Sequence, residues 1–170
     1  KPGSFLKLAK VFGKLPVTEF NYRKAHEKDA HVLVGIRTSS EDSFSKLKQK
    51  LKKLKYKFSD YTNNEISNDH LRHMVGGRAS SNSQSKGLER IFNGEFPETP
   101  GALLNFLENF GNNWNISLFH YRNIGSAYGN ILIGIEDPNS DKTKLMKHLD
   151  KSGTVFKEES NNKAYLDFLK

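Results

Sequence analysis

The chain has 170 residues, 35% hydrophobic and 11% aromatic, a composition that suits a folded globular protein and argues against a disordered one. It contains no cysteine, which excludes disulfides, thiol nucleophiles and zinc–thiolate sites and fits a reducing cytoplasm; no apolar run approaches the roughly 18 residues of a membrane span, and no signal peptide precedes the first motif. The net charge of +8 is confined to residues 1–85, where 17 basic side chains face 8 acidic ones, against 10 and 11 in residues 86–170.

Pro2-Gly3 is a turn that delivers the chain into a helix over residues 4–12, with Gly13 placed as its C-terminal cap. Phe20-Asn21-Tyr22-Arg23 follows as a strand, in which alternation sets Phe20 and Tyr22 on one face and Asn21 and Arg23 on the other. Leu33-Val34-Gly35-Ile36 is the next apolar segment. Seven lysines then lie between Lys46 and Lys57, interleaved with Phe44, Leu47, Leu51 and Leu54 at helical spacing, which predicts an amphipathic helix with a lysine-covered outer face. Solvation accounts for such a face most simply; a patch for phosphate or an acidic partner is the alternative. Residues 65–74 read as helical, and Gly76-Gly77 leads into a Ser-rich stretch, residues 78–86, that reads as an exposed linker.

Residues 88–96 form a strand, and the turn Pro97-Glu98-Thr99-Pro100-Gly101 opens a helix whose inner face is Leu103, Phe106, Leu107 and Phe110 and whose cap is Gly111. Residues 116–122 favour a strand by their β-branched and aromatic content, with Phe119 and Tyr121 on one face and His120 and Arg122 on the other. A more buried strand over 130–136, a helix over 141–151 with Leu145 and Leu149 inward, and a strand over 154–158 complete the order, and Asn161-Asn162 reads as a turn.

The chain says nearly the same thing twice. Pro2-Gly3 returns as Pro100-Gly101, Phe12-Gly13 as Phe110-Gly111, Phe20-Asn21-Tyr22-Arg23 as Phe119-His120-Tyr121-Arg122, Leu33-Val34-Gly35-Ile36 as Leu132-Ile133-Gly134-Ile135, and Phe58 as Phe156, at offsets of 98 or 99 residues. Strand, helix, strand, strand, helix, strand is the split β-α-β order of ferredoxin-like α+β folds, an antiparallel sheet with helices on one face. The expected organisation is a first copy over 1–75, a linker over 76–87 and a second copy over 88–170. The first copy opens directly on its turn at Lys1, so its opening strand is expected to be missing and the chain to be cut from a longer polypeptide.

Chemistry concentrates at the repeated turns and strands. A Pro-Gly turn leaves the first N–H groups of the following helix unpaired, a nest that suits a carboxylate, and glycine lets a ligand approach the main chain; a plain tight turn is the alternative. His70 and His73 lack a third ligand at a convincing interval, so no metal site is expected, and no Ser-His-Asp or paired-carboxylate constellation supports catalysis.

Phe20-Asn21-Tyr22-Arg23, Met74-Val75-Gly76-Gly77-Arg78, Phe96-Pro97-Glu98-x-Pro100-Gly101-Ala102-Leu103 and the string from Trp114 to Arg122 together resemble the C-terminal regulatory region of biosynthetic threonine dehydratases, also called threonine deaminases. The resemblance spans essentially the whole chain. It implies two tandem ACT-like modules of βαββαβ order that bind isoleucine as feedback inhibitor and valine as its antagonist. It also implies a pyridoxal 5'-phosphate catalytic domain in cis, in a cytoplasmic homotetramer that converts threonine to 2-oxobutanoate and ammonia on the way to isoleucine. The catalytic domain is not in these residues, so this chain alone is expected to have no dehydratase activity and no cofactor. The expected effector sites are the backbone at Gly3-Ser4 and Gly101-Ala102, an apolar slot of Phe20, Tyr22, Phe119 and Tyr121 with Asn21 and His120 beside it, and Arg23 and Arg122 pairing with the effector carboxylate or a neighbouring module.

The alternative function is an RNA-binding module, since ferredoxin-like sheets with exposed aromatics stack bases; the expected Gly-Phe-rich string is missing from the sheet and the positive charge sits on a helix. A small enzyme on the same fold lacks any nominated nucleophile or base.

Overall fold

The computed structural model describes residues 3–24, 31–74, 88–123, 125, 127–137 and 141–169. Its elements are α1 (Ser4–Phe12), β1 (Val17–Arg23), β2 (Val32–Ile36), α2 (Glu41–Lys53), α3 (Glu65–Asp69) with a 3-10 turn at Leu71–His73, β3 (Leu88–Pro97), α4 (Ala102–Phe110), β4 (Asn115–Arg122), β5 (Tyr128–Asp137), α5 (Lys142–Asp150), β6 (Val155–Glu158) and α6 (Lys163–Phe168). The Ser-rich stretch read as a linker, and most of the Met74–Arg78 string, lie outside the described residues.

All six strands join one antiparallel sheet in the order β2-β1-β4-β5-β3-β6. The last four positions are the ferredoxin-like order of the second copy. β1 and β2 are the equivalents of β4 and β5, and the two copies meet where β1 pairs with β4. Register makes that junction a local twofold: Phe20 lies opposite Tyr121, Tyr22 opposite Phe119, and Asn21 opposite His120. Even the irregularities repeat, because β1 shifts register against β2 between Val17 and Glu19, and β4 shifts against β5 between Ile116 and Leu118.

Alternation then sorts the side chains. Phe20, Phe119, Tyr121, Phe92, Ile131, Ile133 and Ile135 face a helical layer built from Ala9, Val11 and Phe12 of α1, Leu47 of α2, Leu103, Phe106, Leu107 and Phe110 of α4, and Leu145 and Leu149 of α5. Aromatic rings bind the layers, with Phe20 meeting Phe119 edge-on at 5.5 Å and Phe5 packing within 4.7 Å of Tyr22; such pairs each add roughly 0.5–1.5 kcal/mol beyond area burial. The lysine-rich helix forms as its spacing predicts, with the Ser40 hydroxyl accepting from the Ser43 N–H and acidic residues in its first turn, basic ones in its last. Lys50 donates to the Val11 carbonyl at the end of α1 at 2.7 Å, satisfying an acceptor that the helix itself leaves open.

The first copy departs from its twin at one further point. Residues 54–61 contain no strand, although Phe58 answers to Phe156 in β6, and Phe58 is 38% exposed where Phe156 is 9%. In this topology the fourth strand ladders only onto the first, as β6 does on β3, and the described residues contain no strand ahead of α1. Among the described residues, the segment equivalent to β6 therefore meets no partner edge.

Candidate ligand-binding cleft

The duplicated turns behave as their sequence requires. Gly101 adopts φ 84° and Gly3 φ 79°, left-handed values that admit glycine readily and a side chain only with strain. At the second turn the Ala102 N–H is spent on the Thr99 carbonyl at 2.9 Å, whereas the N–H groups of Leu103 and Leu104 have no intrahelical acceptor and no side-chain cap. The positive end of α4 therefore points outward, and it points into a cleft.

That cleft, about 200 Å³, lies at the seam between the copies. Ala9, Phe12 and Gly13 at the end of α1 and Leu15 to Val17 beyond it form one wall, residues 98–104 form the other, and Tyr121 and Asn123 line it beneath. Glu98 is fixed there by a hydrogen bond donated from the Tyr121 hydroxyl and another from Asn123 Nδ2 at 2.6 Å. Burial first, and the hydrogen bond to the Glu98 carboxylate second, push the Tyr121 phenol well above its ordinary range, so it stays a protonated donor. Gly129 makes the arrangement possible, because a Cβ at that position would overlap both the Glu98 carboxylate and the Tyr121 ring. Arg37 lines the same cleft, is exposed, and has no ion-pair partner among the described residues. A cation, a fixed carboxylate and free backbone N–H groups around walls of Phe12, Leu103 and Leu104 suit a small zwitterion with an apolar side chain.

The local twofold generates a second cleft, lined by Gly3, Phe5, Leu6, Leu107, Gly111, Trp114 and Ile116, but its volume is about 10 Å³, at the limit for one water molecule. Of the expected effector residues, Gly101, Ala102 and Tyr121 line the open cleft and Gly3 the filled one. Ser4 is exposed at the start of α1, Phe20 and Phe119 are wholly buried behind both clefts, and Tyr22 is half-buried against Phe5. Asn21, Arg23, His120 and Arg122 project from the opposite face of the sheet. There Asn21 donates to the Leu71 and Arg72 carbonyls, and Arg23 makes a double hydrogen bond to Glu89 at 2.7 and 3.1 Å. Burial, then the charge of Arg122, push the His120 imidazole below its ordinary pKa. One pocket cannot draw on both faces of a strand, so these four side chains do not meet the other eight. Arg37 and Glu98 escaped the sequence reading; the signal for Arg37 was a charge reversal between copies, since its counterpart by the repeat is Glu136.

Burial of Phe20, Phe119 and Tyr121 under helices removes the base-stacking surface that an RNA-binding reading needs. Among the described residues no group of three or more His, Asp or Glu could hold a metal ion, and no helix is long and apolar enough to cross a membrane.

Comparison with known proteins gives the same lineage throughout. The family model described as the C-terminal regulatory domain of threonine dehydratase matches residues 1–71 and 78–169. L-threonine dehydratase biosynthetic IlvA of Pasteurella multocida is 43% identical over 170 residues, covering 99% of this chain and 32% of the relative. The Escherichia coli protein of the same name is 42% identical, over 98% of this chain and 32% of the relative, and the mitochondrial threonine dehydratase of Saccharomyces cerevisiae 35% identical, over 99% and 30%. The chain thus spans about a third of the length of these relatives. With its duplicated ferredoxin-like architecture and a family match along nearly its full length, the chain belongs to the family of C-terminal regulatory domains of threonine dehydratase.

Proposed function

We propose that the open cleft binds isoleucine and valine as opposing effectors, and that the chain thereby regulates a threonine dehydratase of which it is part. The observation that carries this reading is the charge layout of the cleft. Arg37, which has no ion-pair partner among the described residues, and the first-turn N–H groups of α4 suit an α-carboxylate, Glu98 suits an α-ammonium, and Phe12, Leu103 and Leu104 suit a branched aliphatic side chain.

Isoleucine and valine differ by one methylene, worth about 1–3 kcal/mol in an apolar pocket. Opposite effects from such similar ligands require different affinities for two arrangements of the regulatory domain, with a coupling of about 1–3 kcal/mol. A cleft whose walls come from different copies can supply this, because a larger side chain wedges α1 from α4 where a smaller one lets them close.

The parent protein would carry a catalytic domain in cis that uses pyridoxal 5'-phosphate to convert threonine to 2-oxobutanoate and ammonia, in a cytoplasmic homotetramer. Among the described residues no lysine lines either cleft, so neither fits a cofactor held as a Schiff base, and the chemistry would belong to that other domain. The two copies, 1–75 and 88–170, act here as one sensor. Calorimetric titration tests the reading: this chain should give saturable heat with isoleucine and with valine, and Arg37→Ala should weaken both at least tenfold. A folded sample that gives no heat with either amino acid would falsify it.

A further inference from the structure

We infer that the chain carries one amino-acid site and not two, because the second cleft demanded by its internal symmetry is filled by its own side chains and the counterpart of Arg37 is an acid held in an ion pair. The inference rests on the reading that the open cleft takes an amino acid.

The repeat allows the two clefts to be compared position by position. Leu103, on the wall of the open cleft, becomes Phe5 in the other, and the Phe5 ring fills the space by packing against Tyr22 at 4.7 Å, Phe20 at 5.4 Å and Phe119 at 5.8 Å. The loop after the helix is one residue longer in the second copy, Gly111 to Ile116 against Gly13 to Val17, and it brings Trp114 onto the filled cleft, where the indole is 9% exposed. Access to the main chain differs as well. A Cβ on Gly101 would come no nearer than 3.8 Å to a neighbour, Lys14 Cγ, whereas one on Gly3 would lie 2.5 Å from Asn112 Oδ1. Lys14 and Asn112 are counterparts, so the same position leaves one turn open and covers the other.

Charge separates the clefts further. Arg37 is replaced by Glu136 and Asn123 by Lys24, and these two replacements pair with each other, Lys24 Nζ lying 2.5 Å from Glu136 Oε1. Asn115 Nδ2 donates to the remaining Glu136 oxygen at 2.5 Å. Glu136 stands near enough to Tyr22 to help burial raise its phenol pKa. The position that offers Arg37 to the open cleft thus carries an ion-paired carboxylate in the other copy, and the described residues lining the filled cleft include no cation. Isoleucine and valine consequently compete for one place.

Titration of this chain with isoleucine should give one equivalent bound at saturation, and valine should displace it completely. Arg37→Ala should lower affinity at least tenfold, while Phe5→Leu and Glu136→Gln should leave the stoichiometry at one. In a nitrogen-15 spectrum the amides of Gly101 and Gly13 should shift on binding and those of Gly3 and Gly111 should not, a readout that does not depend on any variant folding. Two equivalents bound overturns the single-site inference, one equivalent that moves Gly3 and ignores Arg37→Ala overturns its premise that the second cleft is filled, and either leaves amino-acid binding standing. No binding at all overturns both.

Discussion

At the scale of single residues, the repeated tyrosines illustrate how equal sequence yields unequal roles. Tyr121 donates its hydroxyl to Glu98 beneath the open cleft, while Tyr22 stands edge-on to Phe5 beside the filled one. Tyr121→Phe removes a side-chain hydrogen bond that holds Glu98 alongside the one from Asn123, and a bond to a charged acceptor contributes about 1.5–3 kcal/mol. It is expected to lower the urea midpoint and weaken isoleucine binding several-fold, whereas Tyr22→Phe should leave the binding constant unchanged; equal effects in paired titrations would refute this division. Gly129→Ala is expected to destabilise by a similar amount through a different cause, because its Cβ must displace the Glu98 carboxylate or the Tyr121 ring, and over-packing of this kind costs about 1–3 kcal/mol. A thermal melt of Gly129→Ala that coincides with the parent chain would show that the floor of the cleft is not held as tightly as its contacts indicate.

At the scale of elements, the far end of the second copy is closed by ions. Arg90 on β3 bonds to Asp137 at 3.1 Å and to Glu158 on β6 at 2.9 Å, and Lys142 at the start of α5 reaches the other Glu158 oxygen at 2.6 Å. Burial pushes the Glu158 carboxyl up, but hydrogen bonds from Lys142, Arg90 and Ser160 outweigh it and hold its pKa below the usual 4.5. A depressed carboxyl stabilises the fold above its unfolded pKa, and that stability is lost as pH falls through the lower folded value. Stability should therefore drop below about pH 4.5, and Glu158→Gln should flatten that drop; an unchanged acid limb in urea titrations would count against the cluster. The elements themselves were largely legible in the sequence. The helices ending at Gly13 and Gly111 and the strands of the second copy lie within a residue or two of expectation, since apolar periodicity and glycine caps are local signals. Two features were not legible. α6 has six residues and buries only Tyr165, too little for any period to register, and Asn162, read as part of a turn, accepts from the Ala164 N–H as its cap. That residues 54–61 form no strand depends on which edge lies beside them in the sheet, which no local pattern encodes. Of the candidate cleft, the repeats single out Gly101 and Tyr121, which line it, but a contiguous Phe-x-Tyr-Arg motif necessarily divides between two faces of a sheet, and the charges that line the cleft come from a loop and a strand end elsewhere.

At the scale of the molecule, the seam decides whether the copies behave as two domains or one. Five residue pairs of β1 and β4 continue the sheet across it, Phe5 and Phe20 of the first copy pack on Phe119 of the second, and Arg23 and Glu89 bridge the rear face with 6% and 14% of their side chains exposed. Neither copy keeps a closed core without the other, because Phe20 and Phe119 are each fully buried by residues drawn from both. The single tryptophan, Trp114, belongs to the second copy and makes the question measurable. Phe20→Ala removes an aromatic ring from the first copy only, and buried Phe→Ala changes cost about 3–5 kcal/mol. If the two copies unfold as one unit, that substitution should move the urea midpoint followed by Trp114 fluorescence as far as it moves the midpoint followed by far-ultraviolet circular dichroism, with both probes tracing one transition. Independent copies would instead give two steps by circular dichroism and leave the Trp114 midpoint in place. Cooperative unfolding is what a cleft shared between copies requires, since a ligand wedged at the seam can bias the whole domain only when strain on one side is felt by the other.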